Sequence, residues 1–243
     1  MRKLSYPGRS NILAQNGMVA TSNPLSSMVA INVLQKGGNA VDAAIAASAV
    51  QAVVCPSATG LGGDCFAIIS MNGKKPIAVN GSGIAPKRAN LQFYKDNKIK
   101  NIGLTSPHSV TIPGAVHAWC SMHEKFGRID FNEVLTGAEN FARKGFPVHE
   151  VEAIAWKENE KKLKKNLHSK RLFLNENLSY SYGEVFKNIP LADTLRVISK
   201  NKIKGFYQSE ITEDMVKTLN KLGGLHTEED FYNQKTLFSK TIT

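Results

Sequence analysis

A chain of 243 residues fits one domain, or one large piece of a bigger one, and is long enough to bury a sizeable core. Its 31 Lys and Arg against 20 Asp and Glu leave a formal net charge of +11, but the basic residues are scattered or interleaved with acids, as in WKENEKKLKKNLHSKR (Trp156–Arg171); that segment reads as a solvated helix and loop without the aromatic interleaving that stacks bases, so no nucleic-acid partner is expected. Three cysteines, Cys55, Cys65 and Cys120, with no CxxC pair argue against a disulfide framework or a zinc site and read as buried, inert thiols.

The leading MRKLSYPGRSNILAQNG lacks the apolar stretch of a secretory signal, and no apolar run is both long and bulky enough to span a bilayer. The expectation is a cytoplasmic protein without membrane association, although a start site further upstream would alter it. NGMVATS (Asn16–Ser22) reads as a turn and a short strand. Ser22 or Asn23 then caps a helix with Pro24 in its first turn; Ala30, Ile31, Val33 and Leu34 give it an apolar side, and Gly37-Gly38 stops it. Asn39 caps the next helix, Ala40–Val54, which has Asp42 at its positive end and apolar residues on nearly every face. Such a helix is expected to be buried all round, its alanines permitting close approach to a sheet or another helix. Cys55-Pro56 ends it, because a residue before proline avoids the helical region.

The loop SATGLGGD follows, then CFAIISMNGKKPIAVNGSG, two apolar runs joined by an Asn72-Gly73 turn and so a hairpin. Helices are predicted in AVHAWCSMHEKFG after Pro113-Gly114, in FNEVLTGAENFARKGF up to Gly145, in PLADTLRVISKN, and in TEDMVKTLNKLGG, capped by Thr212 and stopped by Gly223-Gly224. Strands concentrate early and helices dominate after residue 113, the pattern of an α+β fold.

The glycine loop is not a phosphate cradle. No Gly-Lys-Ser/Thr follows it, and its order is helix, loop, strand, the reverse of a dinucleotide-binding turn. It also lacks the G-x-S-x-G of an α/β-hydrolase. GMVATSNPLSSMVAINVLQKGGNAVDAAIAASAVQAVVCPSATGLGGDCF resembles the γ-glutamyltransferase (γ-glutamyltranspeptidase) family, and so do NGSGIAP, SVTIPGAVHAW, FARKGFPV, LADTLRVI, GFYQSEIT and GGLHTEEDF in the same order, from about Gly17 to about Phe231. The resemblance implies an N-terminal nucleophile hydrolase fold, an αββα sandwich in which the alanine-rich helix packs on the central sheet. It implies no metal and no cofactor.

The family's precursors cleave themselves, and a Thr at the new N-terminus of the small subunit is the nucleophile, its own α-amine serving as base. This chain ends at NQKTLFSKTIT, which resembles a point inside the large subunit, before the processing site. The expectation is therefore a single-domain portion over residues 1–243, a fragment or a split-gene product, with the nucleophilic Thr beyond the C-terminus. Thr241 and Thr243 receive no role. The implied partners are a small-molecule γ-glutamyl or related amide and the small subunit, or C-terminal remainder, of the precursor.

In family members that act on glutathione, an Arg just before the Ala-Pro of the NGSGIAP block grips the α-carboxylate of the γ-glutamyl group, a task suited to a bidentate side chain. Here Ser82 stands at that place, followed by Gly83, with Arg88 two residues after Pro86. Ser82, Gly83 and Arg88 are the candidate substrate-binding residues. The neutral Ser82 weakens the glutathione assignment in favour of a related amidase or acylase; a non-catalytic truncated paralogue stands as the rival class. Asp64 reads either as a group for a substrate amine or as an acceptor for loop amides, the second being favoured. His108, His117 and His123 read as core or surface histidines, and Tyr207 as a packing aromatic with a bonded hydroxyl.

Overall fold

A computed structural model describes residues 11–241. Helices α1 (Pro24–Gln35) and α2 (Ala40–Val54) precede strands β1 (Cys65–Ile69) and β2 (Ile77–Gly81). Then come α3 (Leu91–Asp96), α4 (Ala115–Phe126), α5 (Phe131–Lys144), β3 (Phe146–Pro147), α6 (Glu150–Leu163) and α7 (Leu167–Phe173). The rest comprises β4 (Leu174–Asn175), β5 (Leu178–Ser179), β6 (Val185–Phe186), α8 (Ile189–Tyr207), α9 (Glu210–Lys221), α10 (Glu228–Tyr232) and β7 (Leu237–Lys240). The α+β class stands. Among the described residues no helix is long and apolar enough to cross a membrane.

Asn23, not Ser22, caps α1, accepting from the Leu25 amide. Asn39 caps α2 in a reciprocal box: its side chain accepts from the Val41 and Asp42 amides at 2.9 and 3.1 Å, and the Asp42 carboxylate accepts from the Asn39 amide at 2.9 Å. Asp42 is fully buried, and it also accepts from the Arg128 amide, joining the start of α2 to the α4–α5 connection. A buried carboxylate held by several N–H donors is the arrangement that makes such a burial tolerable. α2 packs against α1, α4 and α5, and α5 packs on α8.

The antiparallel sheet runs β1-β2-β7, leaving β1 and β7 as its edges. The Asn72-Gly73 turn forms as read, with Gly73 at φ 72°. Strand alternation sorts the sheet into two faces. Ala67, Val79 and Phe238 form one cross-strand row turned to the helical core, under α4. The neighbouring row, Phe66, Asn80 and Leu237, faces the other way, and Phe66, Ile68 and Leu237 are 65%, 74% and 60% exposed. Among the described residues a helical layer thus covers one face of this three-stranded sheet, and the strand pairs β3-β6 and β4-β5 make two further small sheets.

Four readings are corrected. Asn16–Ser22 contains no strand, because no described strand lies beside it to pair; the segment instead borders a cleft against α2. α2 is not buried all round: Ala40 and Ala44 are exposed and Ser48 and Gln51 half-buried, a stripe along one face, while Ala43, Ile45, Ala46, Ala49 and Val50 are enclosed. α8 continues past Asn201 to Tyr207 through a kink at Lys202, whose φ is 51°. Ser209 caps α9, whereas Thr212 lies inside the helix, fully buried, and donates to the Phe206 carbonyl at 2.7 Å. Cys55 and Cys120 are buried as read, and a further correction falls on Cys65, which is half-buried in the edge strand β1. Burial raises all three thiols, Cys120 to about 12, so they are protonated at neutral pH and inert. Thr243 lies outside the described residues.

The stripe makes a testable distinction. Ala46→Leu, at a fully enclosed position, is expected to overpack the core by about 1–3 kcal/mol, whereas Ala44→Leu in the 243-residue chain changes stability by less than about 0.5 kcal/mol. Urea unfolding of both variants checks this; equal losses would show that Ala44 is packed.

Candidate substrate-binding loop

Three segments meet where β2 ends: the glycine loop Gly60–Asp64, the turn Gly81–Ile84, and the stretch Ile112–Gly114 that leads into α4. The Gly63 carbonyl accepts from the Gly114 and Ala115 amides at 3.0 and 2.9 Å, satisfying donors that the start of α4 leaves open. The Asp64 carboxylate crosses to the Gly83 amide at 2.7 Å. Loop-amide capture is therefore what one Asp64 oxygen does, as favoured from the sequence.

Backbone meets backbone here with no room for side chains. A Cβ on Gly83 would lie 1.8 Å from the Ile112 carbonyl oxygen, and one on Gly114 would lie 2.1 Å from that of Gly81. A Cβ on Gly81 would meet that of Ala118 at 2.5 Å. Glycine is required at these positions by space, not by dihedral angle.

The Ser82–Ile84 backbone is held from several sides. The Ser82 amide donates to the Asn80 side chain at 2.9 Å, and the Ser82 carbonyl accepts from Gln234 Nε2 at 3.0 Å. The Ile84 amide donates to Gln234 Oε1 at 3.2 Å, and its carbonyl accepts from the Ile112 amide at 2.9 Å. Further on, the Lys87 amide donates to Asp230 Oδ1 at 3.0 Å. Burial acts to raise the Asp230 carboxyl, but the bonds from Lys87 and Thr227 outweigh it and hold the group below its usual range.

Ser82 is half-buried, and among the described residues its hydroxyl has no hydrogen-bond partner. Gly83 is beside it, its amide already committed to Asp64. Arg88 is exposed in the turn after Pro86 and forms no ion pair among the described residues. The structure thus joins Ser82 and Gly83 in one loop and leaves Arg88 outside it. The loop itself carries no cation. What it offers a ligand is a neutral hydroxyl.

The histidines and Tyr207 are structural. Tyr207 is buried and donates to the Pro113 carbonyl at 2.7 Å while accepting from the His117 amide at 3.0 Å, which raises nothing reactive because burial pushes its phenol well above the usual value. It anchors the Ile112–Gly114 stretch from α8. His117 Nδ1 lies 2.8 Å from Thr236 Oγ1, and burial lowers its pKa, so the ring is neutral at neutral pH. His123 Nε2 donates to the Ile129 carbonyl at 2.8 Å, and His108 packs against Phe93 and Tyr94. Among the described residues no group of three or more His, Cys, Asp or Glu side chains converges to hold a metal.

Sequence reading missed Asn80, Gln234 and Asp230 as holders of this loop. Asp230 left a local signal, the Thr227-x-x-Asp230 box that caps α10, and so did Asn80, whose side chain takes the amide two residues on as turn asparagines do. Gln234 reaches the loop from 152 positions away, which no local pattern shows.

The glycine contacts predict a sharp contrast. Gly83→Ala and Gly114→Ala are each expected to cost about 1–3 kcal/mol, against less than about 0.5 kcal/mol for Gly62→Ala, where a Cβ would meet nothing within 4 Å. Thermal melting of the three variants measures it, and a tolerated Gly83→Ala would disprove the close approach.

Comparison with known proteins places this geometry. The chain is 33% identical over 223 residues to a glutathione hydrolase-like proenzyme of Bacillus subtilis, covering 91% of this chain and 42% of that protein. It is 32% identical to a glutathione hydrolase proenzyme of a Pseudomonas species, covering 92% and 40%. It thus spans about two fifths of the length of these relatives. Among solved structures, Helicobacter pylori gamma-glutamyltranspeptidase superposes with a TM-score of 0.90 at 29% identity, over 96% of this chain and 68% of that one. A cephalosporin acylase from Bacillus halodurans gives 0.91 at 31% identity, over 99% and 46%. The sequence profile of the gamma-glutamyltranspeptidase family matches residues 26–243, and the chain belongs to that family.

Proposed function

We propose that this chain is the large-subunit part of an N-terminal nucleophile hydrolase that transfers an acyl group from an amide to a threonine hydroxyl, and then to water or an amine. The nucleophile belongs to the remainder of a longer precursor. The observation that carries the reading is the uncovered sheet face: Phe66, Ile68 and Leu237 are exposed on it, with Asn80 between Phe66 and Leu237, beside an unpaired β1 edge. Such a face needs a second sheet packed against it and such an edge a further strand paired to it, and the remainder of a precursor supplies both. The cleft of about 430 Å³ between α2 and β1, lined by Ala44, Ser48, Phe66 and Trp119, extends the same unfinished surface. That the relatives are proenzymes more than twice as long supports the same partner.

Within this chemistry Ser82 and Gly83 contact the donor. Ser82 gives one neutral hydrogen bond where an Arg would give a charge-assisted, bidentate pair. Arg88, exposed and outside the loop, does not replace it. This favours a second reading of the donor: an amide whose acyl group lacks the α-amino acid end, such as a glutaryl amide, in preference to glutathione. The likeness to a cephalosporin acylase agrees with that reading.

The full-length precursor is expected to release p-nitroaniline from both glutaryl and γ-glutamyl anilides, and residues 1–243 alone from neither. Loss of a charge-assisted bond forfeits on the order of tenfold to a hundredfold in donor preference, so kcat/KM for the two anilides differs by less than about tenfold in the wild type. Ser82→Arg shifts the ratio toward the γ-glutamyl donor. A strong γ-glutamyl preference in the wild type would show that another group holds the carboxylate. A precursor inactive on both would favour the non-catalytic paralogue.

A further inference from the structure

We propose that Gln234 is a positioning residue for the donor loop, resting on the acyl-transfer reading above. Gln234 lies between α10 and β7 and is 2% exposed. Its carboxamide donates Nε2–H to the Ser82 carbonyl at 3.0 Å and accepts the Ile84 N–H at Oε1 at 3.2 Å. A donor to residue i and an acceptor from residue i+2 is what a neighbouring strand supplies along a β ladder. One side chain thus does the work of a missing strand and brackets Gly83. Nε2 also approaches the Lys235 carbonyl at 3.3 Å, which fixes the amide the right way round, because Oε1 there would repel it.

The other groups of the loop are taken as well. Asn80 holds the Ser82 amide, Asp64 the Gly83 amide, and the Ile112 amide the Ile84 carbonyl. Among the described residues two polar groups of Ser82–Ile84 remain without a protein partner: the Ser82 hydroxyl and the Gly83 carbonyl. They are what a bound donor meets. Gln234 sets where both point, without touching the donor. Removing it loosens a loop that otherwise binds in one prearranged shape, and the penalty falls on binding before chemistry.

Two variants separate the amide's two bonds. Gln234→Leu removes both. Gln234→Glu is isosteric, keeps an acceptor for Ile84, and sets a carboxylate oxygen against the Ser82 carbonyl. In the 243-residue chain, hydrogen exchange of the Ile84 amide is expected to accelerate at least about tenfold in Gln234→Leu and to stay near wild type in Gln234→Glu. In the full-length precursor, Gln234→Glu raises KM for the anilide donor about tenfold with kcat within about twofold. An Ile84 amide equally protected in Gln234→Leu, or a KM unmoved in Gln234→Glu, overturns the proposal. A wild-type precursor without turnover refutes the acyl-transfer reading instead, and the exchange measurement, which needs no substrate, still decides whether Gln234 holds the loop. Should Gln234→Leu fail to fold, Gln234→Glu fills the same volume and carries the kinetic test.

Discussion

The contact on which the rest depends is backbone against backbone: Gly81 and Gly83 on one side, Ile112 and Gly114 on the other. Side chains are excluded there, so the end of β2 and the start of α4 come as close as two peptide chains can. That closeness puts the first turn of α4 on the glycine loop, where the Gly63 carbonyl takes two of its free amides. It also presses α4 onto the inner sheet face, with Trp119 and Cys120 buried beneath. Tyr207 locks the same stretch from α8 through the Pro113 carbonyl. Helical layer, sheet and the Ser82–Ile84 loop are therefore one packed unit, and a displacement at Gly83 reaches all three.

The unit is asymmetric. Its inner side is closed around α2, which is anchored by the buried Asp42 and the Asn39 box. Its outer side is open: Phe66, Ile68 and Leu237 exposed on the sheet and an unpaired β1 edge. The exposed apolar side chains are covered by a second sheet packed against this one, and the edge by a further strand paired to β1. In the proposed acyl transfer the described residues contribute a scaffold and a prearranged loop.

Much of this was legible in the residues. The cap Asn39, the Asn72-Gly73 turn and the helix stop at Gly145 all follow from local chemistry, which for the first helix left Ser22 and Asn23 as equal candidates, and the ordered blocks pointed to the family that the comparisons then showed. The failures also have physical causes. Asn16–Ser22 has strand propensity, but a strand needs a neighbour, and propensity does not supply one. The Ala40–Val54 composition cannot tell a helix enclosed on every face from one awaiting a partner on its fourth side, because alanine suits both. Gln234 and Asp230 reach the Ser82–Lys87 stretch through the tertiary fold, with separations that no sequence period encodes, whereas Asn80 holds the Ser82 amide two residues on by a local turn that the residues do signal.

The most direct test is the solvent access of the outer sheet face in the longer precursor. Hydroxyl-radical footprinting reads it at Phe66 and Leu237, 65% and 60% exposed in this chain, with Tyr182, 74% exposed, as reference. If the chain is half of a sandwich, Phe66 and Leu237 are protected in the precursor while Tyr182 is oxidised freely. Oxidation of Phe66 at a rate matching its exposure in the isolated chain would contradict the account.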